Sequence, residues 1–167
     1  MKENPRYRGI LIDENGNDIP GTEFTDWKSR SVAVAVFIEC EGKFILEKRG
    51  PGCPDNIGKW CCPCGYLNWD ETLDDAAKRE VYEEIGVHID DLTVVGINSY
   101  PNERQNVTVR FKAEVLPEAI KDLSGESEKR GGEKDEISDI QLFTRAQIEE
   151  MSDDEFAFGH RQIILGL

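Results

Sequence analysis

Glu80, Glu83 and Glu84 stand together near the end of the segment GYLNWDETLDDAAKREVYEEIGV, residues 65–87. Clustered carboxylates offer hard oxygens, and the chemistry they suit best is holding a divalent cation. The segment reads as a helix from about Leu73 to Ile85. Thr72 and Asp75 fit a variant capping box at its start, and Gly86 is placed to end it in a left-handed conformation. The three glutamates therefore lie at the end where the helix dipole is already negative. Like charges spaced three and four apart add a cost of roughly 0.2–0.5 kcal/mol per pair.

At about 100° per residue, Ala77, Val81 and Ile85 form an apolar stripe. Leu73 and Ala76 extend it and point the same way as Glu80 and Glu84, with Glu83 beside them. Asp74, Asp75, Lys78 and Tyr82 occupy the other side, and Arg79 its edge. A solvated acidic face fits this wheel badly. Arg79 supplies one positive charge and can pair with Glu71 or Glu83, which leaves the cluster under-neutralised. A divalent ion of the Mg²⁺ or Mn²⁺ type meets the need; a structural charge cluster is the competing reading.

The whole chain sets the bounds. It has 167 residues, enough for one domain with a substantial core, and its 38% hydrophobic and 8% aromatic content suits a folded soluble protein. The formal charge is −14, from 34 acidic against 20 basic residues. Such a surface repels nucleic acid and anionic membrane and leaves a small molecule as the expected partner. The sequence shows neither a signal peptide nor an apolar run of bilayer length, so a cytoplasmic setting is expected. Of five cysteines, Cys53, Cys61, Cys62 and Cys64 crowd together. Their spacing does not give paired zinc knuckles, and neither His88 nor His160 is near in sequence; buried reduced thiols are expected.

The elements that must position the acids follow from pattern. The fold class expected is mixed α/β, with helices packed on a sheet. Residues 1–30 read as an added β-hairpin turning at Asn15-Gly16, and 31–167 as the main domain. Strands are expected over SVAVAVFIEC, FILEKRG, LTVVGINSY, NVTVRFKAEVL and SDIQLF, with a short extended piece at CCPCGYL. SGESEKRGGEKDE is expected to be an exposed, mobile loop. Thr144 can cap a helix over RAQIEEM, and DDEFAFGHRQIILGL reads as a closing helix.

Gly65, Glu71 and the run Arg79-Glu80-Val81-Tyr82-Glu83-Glu84-Ile85-Gly86-Val87 resemble the Nudix box in every fixed position. The surroundings, including Arg49, Trp60 and Pro63, also look like that family, and the likeness covers about residues 30 to 167. The resemblance implies a Nudix fold, a mixed sheet sandwiched between helices. It implies Mg²⁺-dependent, or Mn²⁺-dependent, hydrolysis of a nucleoside diphosphate linked to another group. Carried over by position, Glu80, Glu83 and Glu84 would be metal ligands, with Glu71 and Arg79 orienting them. The family's usual Gly-Gly is Cys64-Gly65 here, so Cys64 would lend its backbone carbonyl. A further general base is expected in a loop beyond the box, where Glu133 and Glu136 are the candidates and Glu136 is preferred.

For the substrate, Arg49, Arg104 and Arg110 are candidate phosphate contacts, and Trp60, Tyr66 and Trp69 candidate base-stacking residues. Pro101 lies near where ADP-ribose-type members carry a proline, while the SQPWPFPxS tract of NADH-directed members is absent. The resemblance thus favours ADP-ribose or a nucleotide sugar. A nucleoside triphosphate pyrophosphohydrolase and a non-catalytic nucleotide-sensing module are the alternatives. Analogy also implies a homodimer.

Overall fold

A computed structural model describes residues 2–4, 7–15, 17, 31–100 and 106–167. The chain divides into two compact units, Met1–Arg30 and Ser31–Leu167. In the first, strands β1 (Lys2–Asn4) and β2 (Tyr7–Ile12) pair antiparallel, with Lys2 opposite Ile12. The turn expected after β2 is present in part: the Asp13 carboxylate accepts the main-chain N–H groups of Asn15 at 2.8 Å and Asn17 at 2.9 Å. The strand expected to return from it falls on residues 18–30, outside the described residues.

The second unit is built on a seven-stranded sheet. Its central strand β3 (Val32–Cys40) pairs antiparallel with β4 (Lys43–Arg49) through a tight turn at Glu41-Gly42. Both turn residues have positive φ, and glycine supplies the second without strain. β4 also pairs with β5 (Trp60–Cys61) and with β9 (Ile137–Thr144). On the same side as β4, the first half of β3 pairs antiparallel with β6 (Cys64–Tyr66); its other side pairs in parallel with β8 (Asn106–Glu114), which carries β7 (Thr93–Tyr100) at the edge. The sheet is mixed, as the class expected from sequence requires.

Strand alternation divides the core in two. Val34, Val36, Ile38 and Ile45 pack on one face against Ala76, Ala77, Val81 and Ile85 of helix α1 (Leu73–Ile85). Ala35, Phe37, Phe44 and Leu46 turn to the other face and meet Ile148 of α2 (Arg145–Glu150) and Ile164 of α3 (His160–Gly166).

α1 begins and ends where sequence places it. The Thr72–Asp75 capping box is formed, and Gly86 closes the helix at φ 77°. α2 likewise starts with a capping box, between Thr144 and Gln147. The closing helix is shorter than expected. Asp153–Glu155 is a 3-10 turn, then Phe158 and Gly159 take positive φ and break the chain before α3 begins.

The charged stretch at 124–136 is not the free loop that its composition implies. Ser127 is fully buried and donates to the Glu133 carbonyl at 2.6 Å. Arg130 reaches the end of α1, where Nε donates to the carbonyl oxygens of Tyr82 at 2.7 Å and Glu83 at 3.2 Å, and Nη2 to that of Glu84 at 3.1 Å. α1 has no basic residue in its own last turn. Arg130 supplies that charge from a distant part of the chain.

Candidate active site

The helix α1 presents Glu80 and Glu84 to the sheet, both buried, with Glu83 half-buried at the margin. Arg79 organises the outer half. Its Nε and Nη2 grip Glu71 in a fork, at 2.9 and 2.8 Å, while Nη1 donates to Glu80 at 2.8 Å and Glu83 at 3.2 Å. Nη2 also reaches the Tyr66 carbonyl at 3.0 Å, tying the helix to β6. The fork suits a planar guanidinium and a carboxylate, and it holds the Glu71 carboxyl below its usual range, with a second contribution from the Asn68 N–H. Glu71 and Arg79 thus meet as sequence expects.

Glu84 lies deeper. Its carboxylate accepts the Cys64 main-chain N–H at 2.8 Å. Burial pushes its pKa well above the carboxylate range, and the neighbouring Glu47 adds to the rise. Glu80 is pushed up to about 7, because burial outweighs its bond to Arg79. Gly65 makes this packing possible: a β-carbon there would fall inside the Glu80 carboxyl group.

Glu47 is the acid that sequence reading missed. It lies on β4, fully buried, and its Oε1 receives the Cys61 thiol at 3.5 Å. Its Oε2 has no hydrogen-bond partner among the described residues. Burial pushes its pKa up to about 8. The signal was present as alternation, since Ile45 faces α1 and Glu47 stands two residues on, on the same face.

Glu136 immediately precedes β9, half-buried, and its proton affinity is raised first by burial and then by the charge of Glu133. Its charge acts on Glu47, Glu80 and Glu84, so it belongs to the same electrostatic neighbourhood. Glu133 is exposed.

The expected substrate contacts fare differently. Arg49 is buried and engaged, donating to the Asp55 carbonyl at 3.1 Å and its carboxylate at 3.2 Å, with Phe158 stacked 5.0 Å from the guanidinium. Trp60 is a core side chain, edge-on to Phe143 at 4.9 Å with Lys48 over its ring, so it is not a surface platform for a base. Tyr66 and Trp69 are exposed. Arg104 and Pro101 lie outside the described residues. Arg110 donates to Asn98 at 2.8 Å.

The cysteines are free and, apart from half-buried Cys64, buried. His160, far away in sequence, reaches them: its Nδ1 accepts the Cys62 N–H at 3.1 Å and lies 3.3 Å from the Cys62 sulfur. Burial holds the imidazole neutral, with its pKa lowered to about 3. Among the described residues no three His, Cys or acidic side chains already stand in a geometry that grips an ion, and Glu80 and Glu83 are both paired with Arg79.

The sequence pattern of the NUDIX domain matches residues 28–166. The chain belongs to the Nudix family. The NAD-capped RNA hydrolase NUDT12 of Macaca fascicularis is 26% identical over 143 residues, covering 85% of this chain and 28% of that protein. The chain thus spans under a third of the length of that curated relative. In fold, a bifunctional NMN adenylyltransferase/ADP ribose pyrophosphatase from Francisella tularensis, complexed with AMP and a Mn ion, is similar with a TM-score of 0.66. Its identity is 17%, over 83% of this chain and 41% of that one. The Nudix domain of Shewanella oneidensis NrtR, complexed with ADP ribose, gives a TM-score of 0.63 at 20% identity, over 85% of this chain and 88% of that one. These likenesses establish the Nudix fold. Among the described residues, no helix is long and apolar enough to cross a membrane.

Proposed function

We propose that this Nudix chain hydrolyses the pyrophosphate bond of a nucleoside diphosphate joined to a second group, with ADP-ribose or a nucleotide sugar as the first candidates. The observation that carries the reading is the placement of Glu80 and Glu84, buried side by side on the sheet face of α1 beyond the reach of full compensation by Arg79. Of the two proteins of similar fold, one is an ADP ribose pyrophosphatase and the other holds ADP ribose as a bound ligand. ADP-ribose, and the NAD of the capped-RNA relative, both contain the linkage in question.

The donor set fits Mg²⁺ or Mn²⁺. It consists of carboxylate oxygens from Glu80, Glu83 and Glu84 together with the main-chain carbonyl of Cys64, all hard ligands, and no thiolate is needed. Burial that raises the proton affinity of Glu80 and Glu84 marks a site short of positive charge. Bound there, a divalent ion would neutralise phosphate oxygens and acidify water.

The protein's own residues do the rest. Glu71 fixes the Arg79 fork, and Arg79 holds the Glu80 and Glu83 carboxylates beside one another through its Nη1, limiting their rotamers. The Cys64 N–H fixes Glu84. Glu136 takes the proton of the attacking water; a half-buried carboxyl with raised proton affinity suits a base working near neutral pH. Tyr66 and Trp69, exposed near the box entrance in sequence, are offered as base-stacking surfaces. The reduced cysteines suit a cytoplasmic setting.

The test is a nucleotide panel incubated with Mg²⁺ and with Mn²⁺, the products separated by chromatography. AMP and ribose 5-phosphate from ADP-ribose are the expected result. Pyrophosphate release from nucleoside triphosphates would move the assignment to that class, and no turnover across the panel would leave a binding module.

A further inference from the structure

Glu47 has no task in the reading above, yet it occupies one of the most enclosed positions in the fold. Its neighbours on the same sheet face are Val34, Val36 and Ile45, so an aliphatic side chain would suit the position. A carboxyl group stands there instead: Oε1 receives the Cys61 thiol at 3.5 Å, Oε2 is wholly buried without a donor among the described residues, and the neighbouring group within hydrogen-bonding reach is a second acid, Glu84. Leaving such a group unmatched is costly, and buried carboxyl groups are as a rule hydrogen-bonded, paired or bound to metal.

The direction of the side chain is set by the strand. Ile45 packs against α1, so Glu47 faces α1 as well, and Leu46 and Lys48 face the other layer. Across that space lies Glu84, fully buried, on which Glu47 exerts the strongest influence of any single charge. Among the described residues, no cationic side chain is bonded to either carboxyl group. Arg79 spends its donors on Glu71, Glu80, Glu83 and Tyr66. Arg49, next but one on β4, turns to Asp55. Arg130 touches only the main-chain oxygen of Glu84.

We propose that Glu47 is a further carboxylate of the divalent-cation site, supplied by the sheet and facing Glu84 of the box helix across the buried gap between β4 and α1. This rests on the metal-dependent reading given above. It makes the site a joint product of two elements, with Glu47 of the sheet and Glu84 of the helix both among the residues that would hold the ion.

The experiment is Mn²⁺ titration of the full chain without nucleotide, with free Mn²⁺ read by electron paramagnetic resonance and thermal midpoints measured on the metal-free protein. Glu47→Gln keeps the volume and removes the charge; it is expected to weaken Mn²⁺ binding 10- to 100-fold, without lowering the metal-free midpoint. Glu47→Asp keeps the charge but withdraws the oxygens, and it is expected to weaken binding in the same sense. Binding within twofold of the wild type, in whichever variant folds, overturns the proposal while leaving the box assignment intact. A wild-type chain that binds no Mn²⁺ would instead refute the metal-dependent reading, and this inference with it.

Discussion

Arg130 Nη2 donates to the main-chain oxygen of Glu84 at 3.1 Å, while the Glu84 side chain accepts the Cys64 N–H at 2.8 Å. One residue is thereby fixed from both sides, its backbone by a cation and its carboxylate by the sheet. Truncating Arg130 leaves carbonyl oxygens at the end of α1 without a donor. Arg130→Ala is expected to destabilise the fold by about 1–2 kcal/mol, a shift of several degrees in thermal midpoint. Differential scanning calorimetry checks it; an unchanged midpoint would mean that the contact is idle.

Glu84→Gln keeps the shape of the side chain and its bond to Cys64 but removes its charge. Turnover is expected to fall by about two orders of magnitude or more, with the fold intact. Full activity in a steady-state assay on whichever nucleotide the panel identifies would contradict the role given to Glu84.

Arg79→Lys tests the fork. A lysine cannot grip Glu71 bidentately and still reach Glu80 and Glu83, so Mn²⁺ affinity is expected to fall about 10- to 100-fold. Calorimetric titration reads the change directly, and an affinity equal to the wild type would show that charge alone suffices.

Gly65→Ala places a methyl group where the Glu80 carboxyl now lies. Glu80 must swing aside, so turnover should drop by well over tenfold while the thermal midpoint moves less than for a core truncation. Comparing the two measurements in one preparation separates a displaced ligand from a loosened fold.

His160 sets a pH dependence. Its pKa is about 3 in the fold against 6.5 in a free side chain. Between those values the unfolded chain binds a proton that the folded chain refuses, so stability rises with pH across that window and is lost on acidification. The slope from this group approaches roughly 1.4 kcal/mol per pH unit. His160→Asn, which can still accept from Cys62, is expected to flatten the fall in thermal midpoint between pH 6 and pH 4. An identical profile would show that the imidazole is not neutral in the wild type.

What was legible in sequence was whatever the chain encodes locally. α1 carries its own start and stop signals in Thr72, Asp75 and Gly86, and its acids declare themselves by lying on the apolar side of the wheel. The strands followed from runs of branched residues. Glu47 was half legible, because alternation placed it inward but one acid in FILEKR looks like an ordinary edge charge. Arg130, His160 and the burial of Trp60 were not, since each depends on partners remote in the chain: Tyr82, Cys62 and Phe143. The loop at 124–136 was misjudged for the same reason. Its composition is that of a solvated segment, and its docking points, the carbonyls at the end of α1 and the N–H groups of Gly50 and Gly52, are remote in the chain.

The parallel pairing of β3 with β8, Val32 opposite Val107 through Glu39 opposite Glu114, has a kinetic consequence. Everything between those strands, including α1 and all its acids, sits inside the loop that this pairing closes. Such non-local contacts raise the contact order, and closing them is slow compared with forming a helix or a hairpin. Refolding after denaturation should therefore show early helical signal and a later, slower recovery of cation affinity, with the proposed site among the last features to mature.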